Sequence, residues 1–338
     1  MIKKILGGYT PKITDEKGNP IPNSLAQLEK INLGGIDQWI TIRSHNKKHP
    51  ILLILHGGPG ASQTGAFRKY NRKLEEIFTV IHWEQRGSAK SFSEHIPDET
   101  MTLSQIEQDL HELIEKLKRK FNKEKIYLLG QSIGALYGLT YASKHPDNVY
   151  AFVGVNQPLN RAEEEKLSFY YVQETVNKEG TRREKKLMKK HSILNHGGYR
   201  NMDGVLIQRR LLTKYGGVTY RKNAIWIQLR CLLASELTLM DKFRFLKGLK
   251  YSMEKLWPEL LMVNFFDQVT TFDVPIYLCM GKHDKIVHHF ARDYIKKINA
   301  PRKELAVFEE SGHLACFEEP NKFNSFMIDR VLSEDKNK

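Results

Sequence analysis

Three residues far apart in this chain have the chemistry for nucleophilic catalysis: Ser132, Asp284 and His313. Ser132 stands at the centre of Gly130-Gln131-Ser132-Ile133-Gly134, directly after the apolar run 126–129. A strand that ends in G-x-S-x-G and runs straight into a helix turns so tightly that only small residues fit around the serine, whose hydroxyl is pushed out of the sheet. A serine hydroxyl at neutral pH is a weak nucleophile, so the turn has a use only with a base, an orienting acid and oxyanion donors. Asp284, in Gly281-Lys282-His283-Asp284, follows the apolar segment 275–280, and His313 follows the segment 303–308. All three therefore fall just past the carboxyl ends of strands, on one sheet edge. In those places Ser132 would attack a carbonyl, His313 would carry the serine proton to the leaving group, and Asp284 would fix the imidazole tautomer. His283 is a competing base, but it adjoins the acid on the same strand end.

The oxyanion formed by such an attack needs donors set in advance, and backbone amides supply them. One is expected from Ile133, the residue after the nucleophile, and the other from Gly57-Gly58 in His56-Gly57-Gly58-Pro59-Gly60. Glycines let the backbone turn its amides toward the site without a side chain in the way. Gly57 is also placed against the substrate.

The elements that position these residues follow from the hydrophobic pattern. Residues 29–33 and 38–43 read as a hairpin through Gly34-Gly35, preceded by a turn-rich arm. Residues 51–55, 78–83, 126–129 and 150–155 are apolar runs without alternation, as expected of strands covered on both faces. Between them, Thr102 and Gln105 form a capping box for a helix carrying Leu103, Ile106, Leu110, Leu113, Ile114 and Leu117 on one face. Strands alternating with helices signal a mostly parallel central sheet flanked by helices. The next such strand comes only at 275–280, and the stretch between reads as helical. Residues 1–157 and 273–338 are thus expected to form the core domain and 158–272 a helical cap over the strand ends.

Composition narrows the function. With 41% apolar and 27% charged residues, the 338-residue chain reads as soluble and globular, and no run is long enough to span a membrane. Lys3 and Lys4, then Ile5-Leu6-Gly7-Gly8, make too short an apolar core for a signal peptide, so a cytoplasmic location is expected. Cys231, Cys279 and Cys316 are too scattered for a disulfide framework, and no metal or other cofactor is implied. The net charge of +14 is densest at residues 178–190, which carry no interleaved aromatics and read as a solvated helix face rather than a nucleic-acid site.

With these residues in hand, the chain resembles the α/β-hydrolase superfamily, and within it the proline iminopeptidase group. The likeness rests on His56-Gly57-Gly58-Pro59-Gly60 matching that group's HGGPG, on Glu84-Gln85-Arg86-Gly87-Ser88 resembling its DQRGSG, and on the surroundings of Ser132, Asp284 and His313. It implies the α/β-hydrolase fold and a metal-free aminopeptidase acting on small peptides, with a carboxylesterase or other small-acyl hydrolase as the alternative. By the same likeness the nucleophile, acid and base are Ser132, Asp284 and His313, and the oxyanion donors Gly58 and Ile133. Ile133 stands where many members carry an aromatic residue. An aminopeptidase must also recognise a cationic amino group, a task that falls to lid glutamates in this group; Glu163, Glu164, Glu165, Glu174 and Glu236 are available, with Glu163, Glu174 and Glu236 put forward. A basic protein gains nothing by steering a cationic substrate, which favours a neutral or acidic one.

Overall fold

The computed structural model describes residues 8–193 and 198–332, so the leader expectation, which rests on Lys3, Lys4 and Ile5-Leu6-Gly7, falls mostly outside the described residues. The chain opens with an antiparallel hairpin of β1 (Leu25–Leu33) and β2 (Ile36–Ser44), with Leu33 opposite Ile36. The continuous apolar runs become β3 (Ile51–Leu55), β4 (Thr79–Glu84), β5 (Ile126–Gln131) and β6 (Val149–Val155). With β9 (Ile276–Gly281) and β10 (Lys303–Phe308) they form one eight-stranded sheet ordered β1-β2-β4-β3-β5-β6-β9-β10. Every pairing from β4 onward is parallel, and the β1–β2 and β2–β4 pairings are antiparallel. A separate short pair joins β7 (Ser192–Ile193) to β8 (Gly198–Tyr199).

Alternation along each strand feeds two cores, one on each face of the sheet. Leu53 and Leu55 enter one; Leu52 and Ile54, between and beside them, enter the other. Helix α1 (Thr64–Tyr70) follows β3, α2 (Leu103–Phe121) precedes β5, and α3 (Ile133–Lys144) follows it. Thr102 caps α2 by accepting from the Gln105 amide at 3.1 Å, but the Gln105 side chain turns to Asp109 at 2.9 Å, so only half of the expected capping box forms. Asp109 needs that donor because it is fully buried and also grips Arg86 through two bonds, 2.8 and 3.0 Å. Arg86 in turn donates to the carbonyls of Leu33 and Gly34, so the residue after Gln85 ties the hairpin to α2.

Between β6 and β9 come α4 (Arg161–Glu179), α5 (Arg182–His191), α6 (Met202–Lys214), α7 (Ala224–Leu232), α8 (Leu239–Leu261) and α9 (Phe265–Gln268). Phe169, Val172 and Val176 of α4 pack with Leu211 and Leu212 of α6 into a third core of their own. The basic stretch lies largely on α5, where Met188 is the buried residue and most of the lysines and arginines face solvent. After β9, α10 (Phe290–Lys297) starts behind His289, and α11 (Ala315–Glu318) and α12 (Pro320–Phe326) close the chain's return to the sheet. The three cysteines are buried and unpaired. Among the described residues no helix is long and apolar enough to cross a membrane, and no cluster of histidine, cysteine and carboxylate side chains is placed to hold a metal ion.

Candidate active site

Ser132 occupies the link between β5 and α3 with φ 53° and ψ −124°, a conformation that L-residues rarely adopt. The turn is over-determined by its surroundings: the Ser132 amide donates to the Val155 carbonyl at 2.9 Å, and a Cβ on Gly134 would lie 2.1 Å from the Leu55 carbonyl oxygen. Although Ser132 is the cap residue of α3, its side chain makes no capping bond. Its Oγ lies 2.9 Å from His313 Nε2 instead.

His313 is held from three sides. Its amide donates to the Val218 carbonyl at 2.7 Å, its carbonyl accepts from Gln131 Nε2 at 3.1 Å, and Glu318 takes the flanking amides of Gly312 and Leu314. Its Nδ1 is 2.8 Å from Asp284 Oδ2. Asp284 is completely buried, which opposes its charge, yet the charge and hydrogen bond of His313 and the donors Ile286 N and Asn156 Nδ2 outweigh burial and hold the carboxyl below its usual range. An ionised carboxylate only accepts, so His313 Nδ1 carries the proton and Nε2 is left to accept from the serine hydroxyl.

Asn156 is a participant that the sequence reading passed over. It sits one residue past β6 with φ 47°, donates to Asp284 Oδ2 at 2.8 Å and to the Gly312 carbonyl at 3.1 Å, and so joins the acid to the histidine's loop. The signal that could have found it is its place at the carboxyl end of a strand, shared with Ser132, Asp284 and His313.

The loop after β3 lies against the serine: a Cβ on Gly57 would be 2.9 Å from Ser132 Cβ. Buried His56 shapes this loop. Its Nδ1 donates to the Gly57 carbonyl at 2.9 Å, and its Nε2 accepts from the Gln85 amide at 3.3 Å. Burial pushes its imidazole down to about 4, so it is neutral at physiological pH. With the Gly57 carbonyl drawn to His56 and to the Ala61 amide at 3.2 Å, the trans peptide turns the Gly58 N–H the opposite way. Gly58 has φ 125°, and a Cβ there would meet the Gly60 and Ala61 amides at 2.7 Å, so only glycine fits. Ile133, as the first residue of α3, offers an amide with no acceptor inside the helix.

Glu84, at the end of β4, anchors the far side of the same loop. Its Oε1 accepts from Ser62 Oγ at 2.5 Å and from Thr64 Oγ1 at 3.1 Å. Burial raises its carboxyl to about 7, against partial opposition from those two hydroxyls. The folded chain therefore keeps this proton up to about pH 7, whereas the unfolded chain sheds it near the ordinary 4.5. The resulting stabilisation is complete below 4.5 and is lost as pH rises through about 7. Glu84→Gln, which cannot ionise, should gain about 2–3 kcal/mol on the native chain between pH 5 and pH 8. Urea unfolding at the two pH values checks this; a pH-independent difference would mean that Glu84 is ionised throughout.

Ser132, His313, Gly58 and Ile133 open together onto a cavity of about 460 Å³. Its remaining walls come mainly from the helices between β6 and β9 and are largely apolar, including Phe245, Met253 and Trp257. The glutamates put forward for substrate contact do not line it. Glu163 and Glu174 lie about three turns apart on one outward face of α4, with side chains 44% and 68% exposed and paired with Lys166 and Lys178. Glu236 is buried but is held 3.1 Å from Arg68. Glu164 and Glu165 of the same helix turn inward, where both bond Arg161, and Glu165 also bonds Arg209.

A profile of the family described as alpha/beta hydrolase fold matches residues 50–320. This chain belongs to the α/β-hydrolase family. Among the relatives of this α/β hydrolase, a probable aminopeptidase, YbaC of Bacillus subtilis, is 31% identical over 314 residues, spanning 90% of this chain and 96% of the relative. A proline iminopeptidase of Saccharolobus solfataricus is 26% identical, spanning 83% and 86%. Among solved structures, the proline iminopeptidase of Mycobacterium smegmatis superposes with a TM-score of 0.66 at 16% identity, covering 92% of this chain and 99% of that one. VinJ superposes at 0.69 with 18% identity, covering 91% and 98%. At those identities the structural likeness speaks to the fold of the hydrolase alone.

Proposed function

We propose that this α/β hydrolase is a serine hydrolase that cleaves small amides or esters through an acyl-enzyme on Ser132. The observation that carries the reading is the unbroken chain Ser132 Oγ, His313, Asp284, with bonds of 2.9 and 2.8 Å, opening onto a largely apolar cavity. His313 Nε2 takes the hydroxyl proton as Oγ attacks the carbonyl carbon, and Asp284 stabilises the imidazolium that forms. The negative oxygen is received by the amides of Gly58 and Ile133. Collapse expels the leaving group with the proton from His313, and water then releases the acyl group by the same steps in reverse. Residues 158–272 act as a cap that keeps bulk water from the cavity.

The names of the relatives and the HGGPG and QRG segments favour an aminopeptidase. A second reading, an esterase or other acyl hydrolase, is favoured by a specific observation: no carboxylate is among the described residues lining the cavity, so none awaits a substrate ammonium group there. Hydrolysis of prolyl, alanyl and leucyl aminocoumarins beside short p-nitrophenyl esters, with Ser132→Ala as control, separates the two. Serine-dependent release from the aminoacyl amides establishes the peptidase; ester cleavage alone establishes the acyl hydrolase; no serine-dependent turnover and no labelling by a fluorophosphonate would sink both.

The oxyanion assignment has its own test. Gly58→Ala should lower kcat about a hundred- to a thousandfold, because its Cβ displaces the amide. An unchanged rate would move the oxyanion site elsewhere.

A further inference from the structure

Arg161 and Arg209 are the two arginines in the cavity wall, and the described lining includes no carboxylate. Both are held in place. Arg161 Nη2 donates to Glu165 Oε1 at 2.6 Å and Nη1 to Glu164 Oε2 at 3.3 Å, while Arg209 bonds the same Glu165 oxygen. Trp257, itself part of the cavity wall, lies 5.4 Å from the Arg161 guanidinium and 5.7 Å from that of Arg209. Side chains fixed in this way lose little freedom when a ligand arrives.

Two carboxylates, Glu164 and Glu165, bond the two guanidiniums from outside the described cavity lining. Glu165 is shared by both guanidiniums, and although burial opposes its charge, the charges of Arg209 and Arg161 hold it ionised. Burial pushes the other carboxyl, Glu164, up to about 7. Arg161 is 2% exposed, yet its Nε–H has no protein partner among the described residues. A buried, unpaired charged donor is costly unless something occasional satisfies it.

Arg209 has a second neighbourhood. Beside the cavity runs an open groove of about 740 Å³ that shares Arg209, Thr213, Ile225 and Gln228 with it. Arg210, Lys214, Arg221 and Lys222 also line this groove, and again no carboxylate does among the described residues. Lys214 and Arg221 are tied to Glu184 and Glu310 at the rim. Arg209 thus stands where a basic groove meets an apolar chamber containing the serine.

We propose that the substrate is anionic: an ester or amide whose apolar part fills the cavity beside Ser132 and whose carboxylate or phosphate, remote from the scissile bond, is bound by Arg209 where cavity and groove meet, with Arg161 behind it. This deepens the hydrolase reading and rests on it. A guanidinium offers a planar fork suited to either anion, so the chemistry is shared between the two sources. A cationic substrate would meet the same arginines with repulsion, and Glu165, which does not line the cavity, already has both of them as partners.

Calorimetry with hexanoate, hexyl phosphate, hexylamine and hexanol tests the inference without requiring turnover. Either anion, or both, should bind at least about tenfold more tightly than the amine and the alcohol, which share its chain length, and whichever binds names the source. Arg209→Gln should weaken that anion's binding by about ten- to a hundredfold, and Arg209→Lys should restore part of it. Equal binding of amine or alcohol, or anion binding unchanged in Arg209→Gln, overturns the proposal. Fluorophosphonate labelling of Ser132 on the same protein reads the hydrolase assignment separately: labelling without anion preference removes the substrate class and leaves the enzyme.

Discussion

Ser132→Ala should reduce kcat by about five to six orders of magnitude and abolish labelling by a fluorophosphonate, while leaving the chain folded. The rate falls because the acyl-enzyme has no oxygen on which to form, and the residual rate is what positioning and oxyanion donors supply to an attacking water. The fold persists for a local reason. The serine side chain makes no capping bond to α3, and the Ser132 amide keeps its bond to the Val155 carbonyl at 2.9 Å. Alanine also carries the same Cβ into the same strained backbone, so no new strain is added. Single-turnover kinetics and a thermal melt on one preparation check both halves. A variant with near-normal turnover would show that another group is the nucleophile.

Asp284→Asn should lower kcat by about four orders of magnitude. The direction of the new amide is set by its neighbours. Asp284 Oδ1 accepts from the amides of Ile286 at 2.7 Å and Val287 at 3.2 Å, so the asparagine oxygen must take that position. Its NH₂ then occupies the place of Oδ2, which now receives donors from His313 Nδ1 and Asn156 Nδ2, each at 2.8 Å. His313 can answer only by losing its Nδ1 proton and carrying it on Nε2, where it can no longer accept from Ser132. Asn156 Nδ2 faces a second donor, and a native state weakened by about 1–3 kcal/mol is expected beside the kinetic loss. Nitrogen chemical shifts of His313 would report the tautomer directly. An unchanged tautomer with unchanged rate would mean that Asp284 is not the orienting acid.

Much of the fold was legible because burial on both faces leaves a plain mark. The runs at β3, β4 and β5 are apolar without alternation, and the long gap before β9 is too great for a simple crossover, so a parallel sheet and an intervening helical stretch could be inferred. Boundaries were less legible. β1 begins at Leu25, four residues before the apolar pattern becomes clear, since ladder bonds to β2 continue regardless of side-chain polarity. The capping box at Thr102 was half right because Gln105 had a stronger claimant in Asp109, a buried carboxylate from the same helix whose other partners, Arg86 and Gln38, come from distant parts of the chain.

By itself, the sequence determined which residues could do the chemistry. Ser132, Asp284 and His313 each follow a strand-like run, and the glycines around Ser132 and after His56 mark places where backbone must pass close to backbone, a constraint that is local and therefore written locally. Only the tertiary structure decided what meets them. Asn156, His56 and Glu84 act through bonds to residues far away in sequence, and the orientation of α4 decides that Glu163 and Glu174 face water while Arg161 faces the cavity with Arg209 from α6. A helix shows its period in its sequence, but which face turns inward depends on what packs against it, and here that choice sets the charge of the chamber around the serine.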